Sequence, residues 1–229
     1  MTDHEIALKY APIVHFDKNE TIPLRAVGYT LTRESIPSPS FPKRNILVGG
    51  RSVLAIEYAY YWDYDIQHMY DLEHIWVGVG ADGQVVSAEG SFHGGFLPMF
   101  FPGISALTGT HVHACCQPGK HAFAASGEMF RAMPHWKEYC AEMAGGDVLV
   151  GGPFSGVYAP SAEDNRLSRW YLKTHLTFEA TLEFTGEAPA DVVYLPWEEL
   201  KTRIPDWIRA ECERLRALEK TIQGKENAD

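Results

Sequence analysis

One hairpin constrains this chain more than any other feature. Asp71–Val79 and Val85–Phe92 are two runs rich in β-formers, joined by Ala81-Asp82-Gly83-Gln84. The Asp-Gly pair supplies the positive φ of a tight turn, so the two runs must pair antiparallel, and the pairing fixes the face to which each side chain points. Just upstream, Val53–Trp62 (Val-Leu-Ala-Ile-Glu-Tyr-Ala-Tyr-Tyr-Trp) has the composition of a central strand. Pro12–Phe16, Val27–Thr32 and Thr110–Cys116 read as further strands, and Leu172–Phe184 as one or two more. Ser35–Pro42, with three prolines in eight residues, and Pro98–Gly109 read as loops. Gly127–Ala144 reads as a helix that Pro134 would bend or interrupt. Trp197–Lys220 places Leu200, Ile204, Trp207, Ile208, Cys212, Leu215 and Leu218 at helical spacing between charged residues, which predicts an amphipathic helix with a bend near Pro205. The expected fold class is mainly β: an antiparallel β-sandwich with peripheral helices and an amphipathic C-terminal helix. One domain is expected over 1–222, with a polar tail at 223–229.

A chain of 229 residues can bury a core large enough to need no staples. Its formal charge of −10 disfavours nucleic acid and anionic lipid as partners, since both are met by basic surfaces. The longest apolar stretch, Phe92–Leu107, is broken by Gly94, Gly95, Pro98, Pro102 and Gly103, so no membrane-spanning helix and no stable membrane insertion are expected. Asp3, His4 and Glu5 stand where a secretory leader would carry Lys or Arg. Cys115, Cys116, Cys140 and Cys212 form neither a disulfide framework nor a CxxC pair. Reduced thiols and a cytoplasmic location are the expectation.

Seven of the ten histidines fall within 68–135, and acidic residues crowd the same region. The densest stretch is Tyr61-Trp-Asp-Tyr-Asp-Ile-Gln-His-Met-Tyr-Asp-Leu-Glu-His74. Asp71 and Glu73 are two apart on a strand and therefore share a face, which also carries Ile75, Val77 and Val79; His74 faces the other way. Carboxylates on such a face cost several kcal/mol unless compensated. The nearest basic residues in sequence, Arg51 and Lys120, are not adjacent. A divalent cation is the simplest counter-charge, held by Asp71, Glu73, His68 and either Asp63 or Asp65. Oxygen donors with one imidazole suit Mg²⁺, Mn²⁺, Ca²⁺ or Zn²⁺. Ser91-Phe-His93-Gly-Gly95 brings His93 back toward the carboxylates, and the turn Gln117-Pro-Gly-Lys-His-Ala122 presents Lys120 and His121. His111 and His113 share a strand face. Cys115 and Cys116 carry only a weak nucleophile signal. Gly-Pro-Phe-Ser155-Gly is not a nucleophile elbow, and no phosphate-binding glycine loop occurs.

His68-Met-Tyr-Asp71-Leu-Glu73 resembles the H-R-H-D-W-E core of the necrosis- and ethylene-inducing-like proteins. Ser91-Phe-His93-Gly-Gly95 is similar to their S-x-H-G-G segment, and Val193-Tyr-Leu-Pro-Trp197-Glu-Glu-Leu200 to their C-terminal pattern. Tyr70 stands in place of their second His and Leu72 in place of their Trp. Ala11-Pro-Ile-Val-His-Phe-Asp-Lys-Asn-Glu20 and Gly119-Lys-His-Ala122 are similar to the vacuolar-protein-sorting-62-related proteins. The resemblance implies a β-sandwich with a metal at one end, ligated by the His, Asp and Glu of the core and an upstream Asp.

Two functions are consistent with these residues. The first is a metal-dependent hydrolase, in which the cation activates a water, His93 or His121 serves as acid or base, and Lys120 neutralises an anionic group on a small or sugar-containing substrate. The alternative is a non-catalytic, cytolysin-like protein that grips a glycolipid or sugar head group through the metal.

Overall fold

The computed structural model describes residues 1–103, 105, 107–147, 154 and 157–226. It opens with α1 (Asp3–Tyr10), followed by β1 (Ile13–His15), β2 (Ala26–Thr32), β3 (Ile36–Pro37), β4 (Asn45–Ile46), β5 (Leu54–Tyr64), β6 (Met69–Val79), β7 (Val85–Phe92) and β8 (Gly95–Phe100). Then come β9 (Leu107–Thr108), β10 (His111–Cys116), β11 (Phe123–Ala124), α2 (Glu128–Arg131), α3 (Ala162–Tyr171), β12 (Val193–Pro196) and α4 (Trp197–Glu226). The main sheet has the order β12-β2-β5-β6-β7-β8. The second sheet joins β1, β10 and β11, with β9 on the far end of β10, and β3 and β4 form a small separate ribbon.

The hairpin forms as its turn demands: Gly83 takes φ 78° and Ile75 pairs with Gly90 across the strands. The inner face of the main sheet carries Tyr58, Tyr60 and Trp62 from β5 and Ile75 and Val77 from β6, all buried, and it packs on Phe123 of the second sheet. The outer face takes α4 at one end, where Leu200, Ile204, Ile208, Cys212 and Leu215 are buried at 3- and 4-residue spacing. Gly28 of β2 lets that helix sit close: a Cβ there would fall 2.9 Å from Leu200 Cδ2. Pro205 lies inside α4 without ending it. The β3–β4 ribbon covers the other end of the outer face, through contacts such as Phe41 on Trp76.

The two layers are mainly β, but they are not purely antiparallel. β1 runs parallel to β10, and β12 parallel to β2. Both exceptions join segments far apart in the chain, whose direction no tight hairpin sets. Other expectations also shift. The helix expected over 127–144 is reduced to α2 and a 3₁₀ turn at Glu138–Cys140, because Pro134 and the left-handed His135 (φ 60°) interrupt it. The strands expected over 172–184 are replaced by a π-turn at Leu172–Leu176 that continues α3, and by non-sheet chain tied to Phe16 through Gly186. Part of the loop expected over 98–109 is the outer strand β8, an edge where Pro98 forfeits no needed ladder bond. α1 and α3 start at capping boxes, Thr2 with Glu5 and Ser161 with Asp164, that were present as sequence signals. The helix α4 runs through residues 223–226 of the expected tail. Ser155 and residues 227–229 lie outside the described residues. No described helix is long and apolar enough to cross a membrane.

Gly90 sets the spacing between the layers. A Cβ there would lie 2.7 Å from Phe123 Cβ and would also collide with Met99 Sδ. Gly90→Ala is therefore expected to cost about 1–3 kcal/mol by overpacking, read as a lowered urea midpoint at unchanged m-value.

Candidate functional site

Three connections meet at one end of the sandwich: the β5–β6 loop (65–68), the β7–β8 turn at His93-Gly94, and the β10–β11 turn at 117–121. At their junction, β6 begins with Asp71 opposite Trp62 and Glu73 opposite Tyr60, both on the inner face. Three non-glycine residues here hold left-handed backbone: Tyr70 (φ 47°), His93 (φ 48°) and His121 (φ 57°). Such strain costs of order 1–3 kcal/mol each and persists only where the surroundings fix it.

The counter-charge comes from the protein itself. Lys120 Nζ donates to Asp65 and, at 3.0 Å, to Gln67 Oε1. Asp65 also accepts the backbone N–H of Gln67 and, at 2.8 Å, that of His68, which curls the loop around the carboxylate. His68 sits with Nε2 3.4 Å from Asp65 Oδ2 and Nδ1 2.9 Å from the Tyr70 carbonyl. His121 lies flat on Trp62, ring centroids 4.2 Å apart at 5°, and its Nδ1 is 3.0 Å from Asp71 Oδ2. The Leu72 N–H donates to Asp71 Oδ1 at 2.8 Å. Ser91 donates its hydroxyl to Glu73 and accepts the His74 N–H at 2.6 Å.

These contacts set the proton affinities. Burial alone would raise Asp71, but the hydrogen bond and charge of His121, helped by His68 and Lys120, hold its carboxyl below the usual range. Glu73 goes the other way: burial first, then the neighbouring Asp71 charge, push it well above the usual range. Burial opposes charge on Lys120, yet Asp65 outweighs it and raises the ammonium pKa. His93, half-buried, is lowered chiefly by burial, with the Gln117 side chain acting against that.

Of the residues singled out from sequence, the structure brings together His68, Asp65, Asp71, Glu73, His93, Lys120 and His121. It does not bring in Asp63. That residue follows inward-facing Trp62, points to the outer face, and pairs with Arg25 at 2.6 Å, whose guanidinium lies 4.2 Å over Trp207. Among the described residues no three His, Cys, Asp or Glu side chains are arranged to hold a metal ion. Lys120 already occupies Asp65, His121 Asp71, and Ser91 Glu73. The donor set as arranged does not fit a resident divalent cation. His121 has no exposed side-chain surface, and its Nε2 is buried without a partner. Burial raises both Cys115 and Cys116, the latter strongly, which keeps them as thiols. His111 is tied to the Ala11 carbonyl at 2.7 Å.

The sequence pattern assigns no role to Glu20 or Gln117, places Ser91 only in the motif around His93, and does not reveal that Trp62 stacks on His121. Glu20 is bound to the site's own turn: its carboxylate accepts the Gly119 N–H at 2.8 Å and those of Thr21 and Ile22. Only the run of Gly119, Lys120 and His121 hinted at such a partner.

No protein-family model matches the chain, and no curated protein matches it. Solved structures of necrosis- and ethylene-inducing proteins do. One is necrosis and ethylene inducing protein 2 from the causal agent of cocoa's witches' broom disease: 18% identity, 50% of this chain and 64% of that one, TM-score 0.35. Another is NLPPya in complex with glucosamine: 16% identity, 52% of this chain and 66% of that one, TM-score 0.36. A third is NLPPya in complex with mannosamine: 16% identity, 66% and 83%, TM-score 0.37. The chain thus spans just under two thirds of the length of the first two.

Asp65 is 2% exposed and Lys120 14%, so removing the ammonium strands a buried carboxylate. Lys120→Met is expected to cost about 3–5 kcal/mol, and Asp65→Asn in the same chain to restore much of it, in a double-mutant cycle by urea unfolding. On the outer face, burial pushes His74 down to about 3, Asp71 opposing and Arg44 assisting. A depressed histidine means that the unfolded chain binds the extra proton between pH 6.5 and 3, so stability falls as pH falls through that window. The slope should approach about 1.4 kcal/mol per pH unit, and His74→Gln should flatten it in urea titrations at pH 7, 6 and 5.

Proposed function

We propose that this end of the sandwich is a non-catalytic recognition site for a hydroxyl-rich, amine-bearing sugar head group. One observation carries the reading. Asp71 is anchored from behind by wholly buried His121 on Trp62, and keeps 12% of its side chain exposed as a fixed, charged acceptor. Beside it, His68 (21% exposed) and Lys120 (14%) offer donors, and Glu73 lies on the same face. A rim of acceptors and donors held by buried partners suits a ligand that carries both along one edge, and an ammonium group is the natural partner for Asp71.

The same geometry argues against a hydrolase built on His121 and Lys120. The imidazole that a carboxylate aligns, His121, is closed off from any substrate, so it positions Asp71 rather than moving a proton. Two of the three Lys120 N–H groups hold Asp65 and Gln67, and its charge is balanced by Asp65. It keeps one donor for a ligand but is no free counter-charge for an anionic substrate.

Calorimetric titration with glucosamine and with glucose, each with and without EDTA, tests the reading. Glucosamine should bind more tightly than glucose, unchanged by EDTA, and Asp71→Asn should weaken it about tenfold or more, as expected for one charge-assisted hydrogen bond. Equal binding by Asp71→Asn, or no binding of either sugar, overturns the site. Binding abolished by EDTA replaces it with the metal-dependent alternative, and turnover of a glycoside restores the hydrolase.

A further inference from the structure

A second group of imidazoles lies away from this cluster, on the outward face of the second sheet. β10 alternates half-buried and buried residues, so His111, His113 and Cys115 point away from the core. β1 runs parallel beside it at the edge of that sheet, with Ile13 opposite His113 and His15 opposite Cys115. That offset brings two rings together: His15 Nε2 lies 2.8 Å from His113 Nδ1, with centroids 5.1 Å apart and the rings 6° from parallel. The two nitrogens meet head on, so one carries a hydrogen and the other accepts it. The far nitrogen of His113, Nε2, is 2.9 Å from Thr108 Oγ1 on β9.

We propose that His15 and His113 form an acid-opened clasp, which holds β1 on β10 while the rings share one hydrogen and releases it once both are charged. One added proton leaves the clasp closed. It goes to the outer nitrogen of the donor ring, and the inner N–H still meets a lone pair, now in a charge-assisted bond. A second proton has only the inner lone pair to take, which sets N–H against N–H and charge against charge. Little else holds β1: it is three residues long and, among the described residues, pairs with β10 alone. Its flanks are pinned. Before it His111 Nδ1 donates to the Ala11 carbonyl at 2.7 Å, and after it Phe16 and Gly186 exchange backbone hydrogen bonds. The opening is therefore confined to residues 12–15, where it uncovers buried Val14 and leaves β10 with an unpaired edge. Charges around the pair are few. Burial, then the charge of His113, hold His15 below its ordinary 6.5, and Glu187 acts against them. Cys115, opposite His15, is kept a neutral thiol by burial. A histidine so lowered gives a clasp that is whole above pH 6.5 and weakens as pH falls below it.

The test is amide hydrogen exchange of the full chain, followed by NMR between pH 7.5 and 5 and corrected for the intrinsic rate. The amides of β5 and β6 report global opening. Relative to them, the protected amides of Ile13–His15 should lose up to about tenfold in protection per pH unit below 6.5, the response to one extra proton in the open form. Phe16 and Gly186 should keep theirs. His15→Gln and His113→Asn, checked for fold by circular dichroism, each put a neutral amide at the inner position, and should protect β1 at pH 5 as at pH 7.5. In the unaltered chain the ring ¹⁵N signals of the pair should titrate in two separated steps, and His113 in His15→Gln in a single one. β1 protection that ignores pH in the unaltered chain, an unchanged pH response in either variant, or two rings that titrate independently overturns the proposal.

Discussion

The contact between Asp71 and His121 is the constraint around which this end of the molecule is arranged. A strand that buries Ile75 and Val77 also begins with two carboxyl groups on the same face, and such groups must be paired or protonated. The structure does one of each. Asp71 stays charged against His121, while Glu73, beside that retained charge, is pushed toward its neutral form. The turn at 117–121 is shaped to deliver the partner. Gly119 (φ 63°) and His121 (φ 57°) both take left-handed backbone, Glu20 grips the Gly119 N–H, and Trp62 gives the imidazole a flat support. A compensating group has thus been built by bending a distant loop into place, at the cost of strain in that loop.

Much of the fold was legible because it was local. The hairpin, the central strand and the C-terminal helix each announce themselves in a period of two or of three to four residues, and each holds. What failed was in part local pattern that misled, as at 172–184, where partial alternation forms no strand, and in part non-local or hidden in short signals. The parallel pairing of β1 with β10 joins residues about a hundred positions apart, so no pattern within either segment contains it. The helices α1 and α3 were signalled only by capping boxes at Thr2 and Ser161, easily lost beside stronger β signals.

The site was half legible, and the missing half has a physical cause. Alternation placed Asp71 and Glu73 on one face correctly. The same alternation excludes Asp63, because its neighbour Trp62 lies opposite Asp71, but that pairing is known only once the register is. In sequence no cation stands beside these carboxylates. Lys120 lies 55 positions from Asp65 and Arg25 lies 38 from Asp63, and both are in contact. Sequence distance is a poor guide to charge compensation in a β-sandwich, where neighbouring strand ends come from anywhere in the chain.

The two faces of the main sheet show what distinguishes a site from a buried polar cluster. On the outer face Glu57 is almost wholly buried, and Ser38, Ser40 and Trp76 Nε1 all donate to it, so its hydrogen-bonding capacity is met internally. His74 joins through Ser40, and Arg44 lies over Trp76 with its other contact to Glu89. Such a network fixes the β3–β4 ribbon and stays enclosed, for the atoms it leaves unpartnered, Arg44 Nε and Nη1 and His74 Nδ1, are buried. On the inner face the burial is graded instead: His121 and Asp65 are deep, while Asp71, Lys120 and His68 reach the surface. Rigid partners behind and open hydrogen-bonding capacity in front lower the entropic cost of binding, since the side chains are ordered before a ligand arrives. That gradient, rather than the number of histidines, is what supports the proposal that this end of the sandwich meets another molecule.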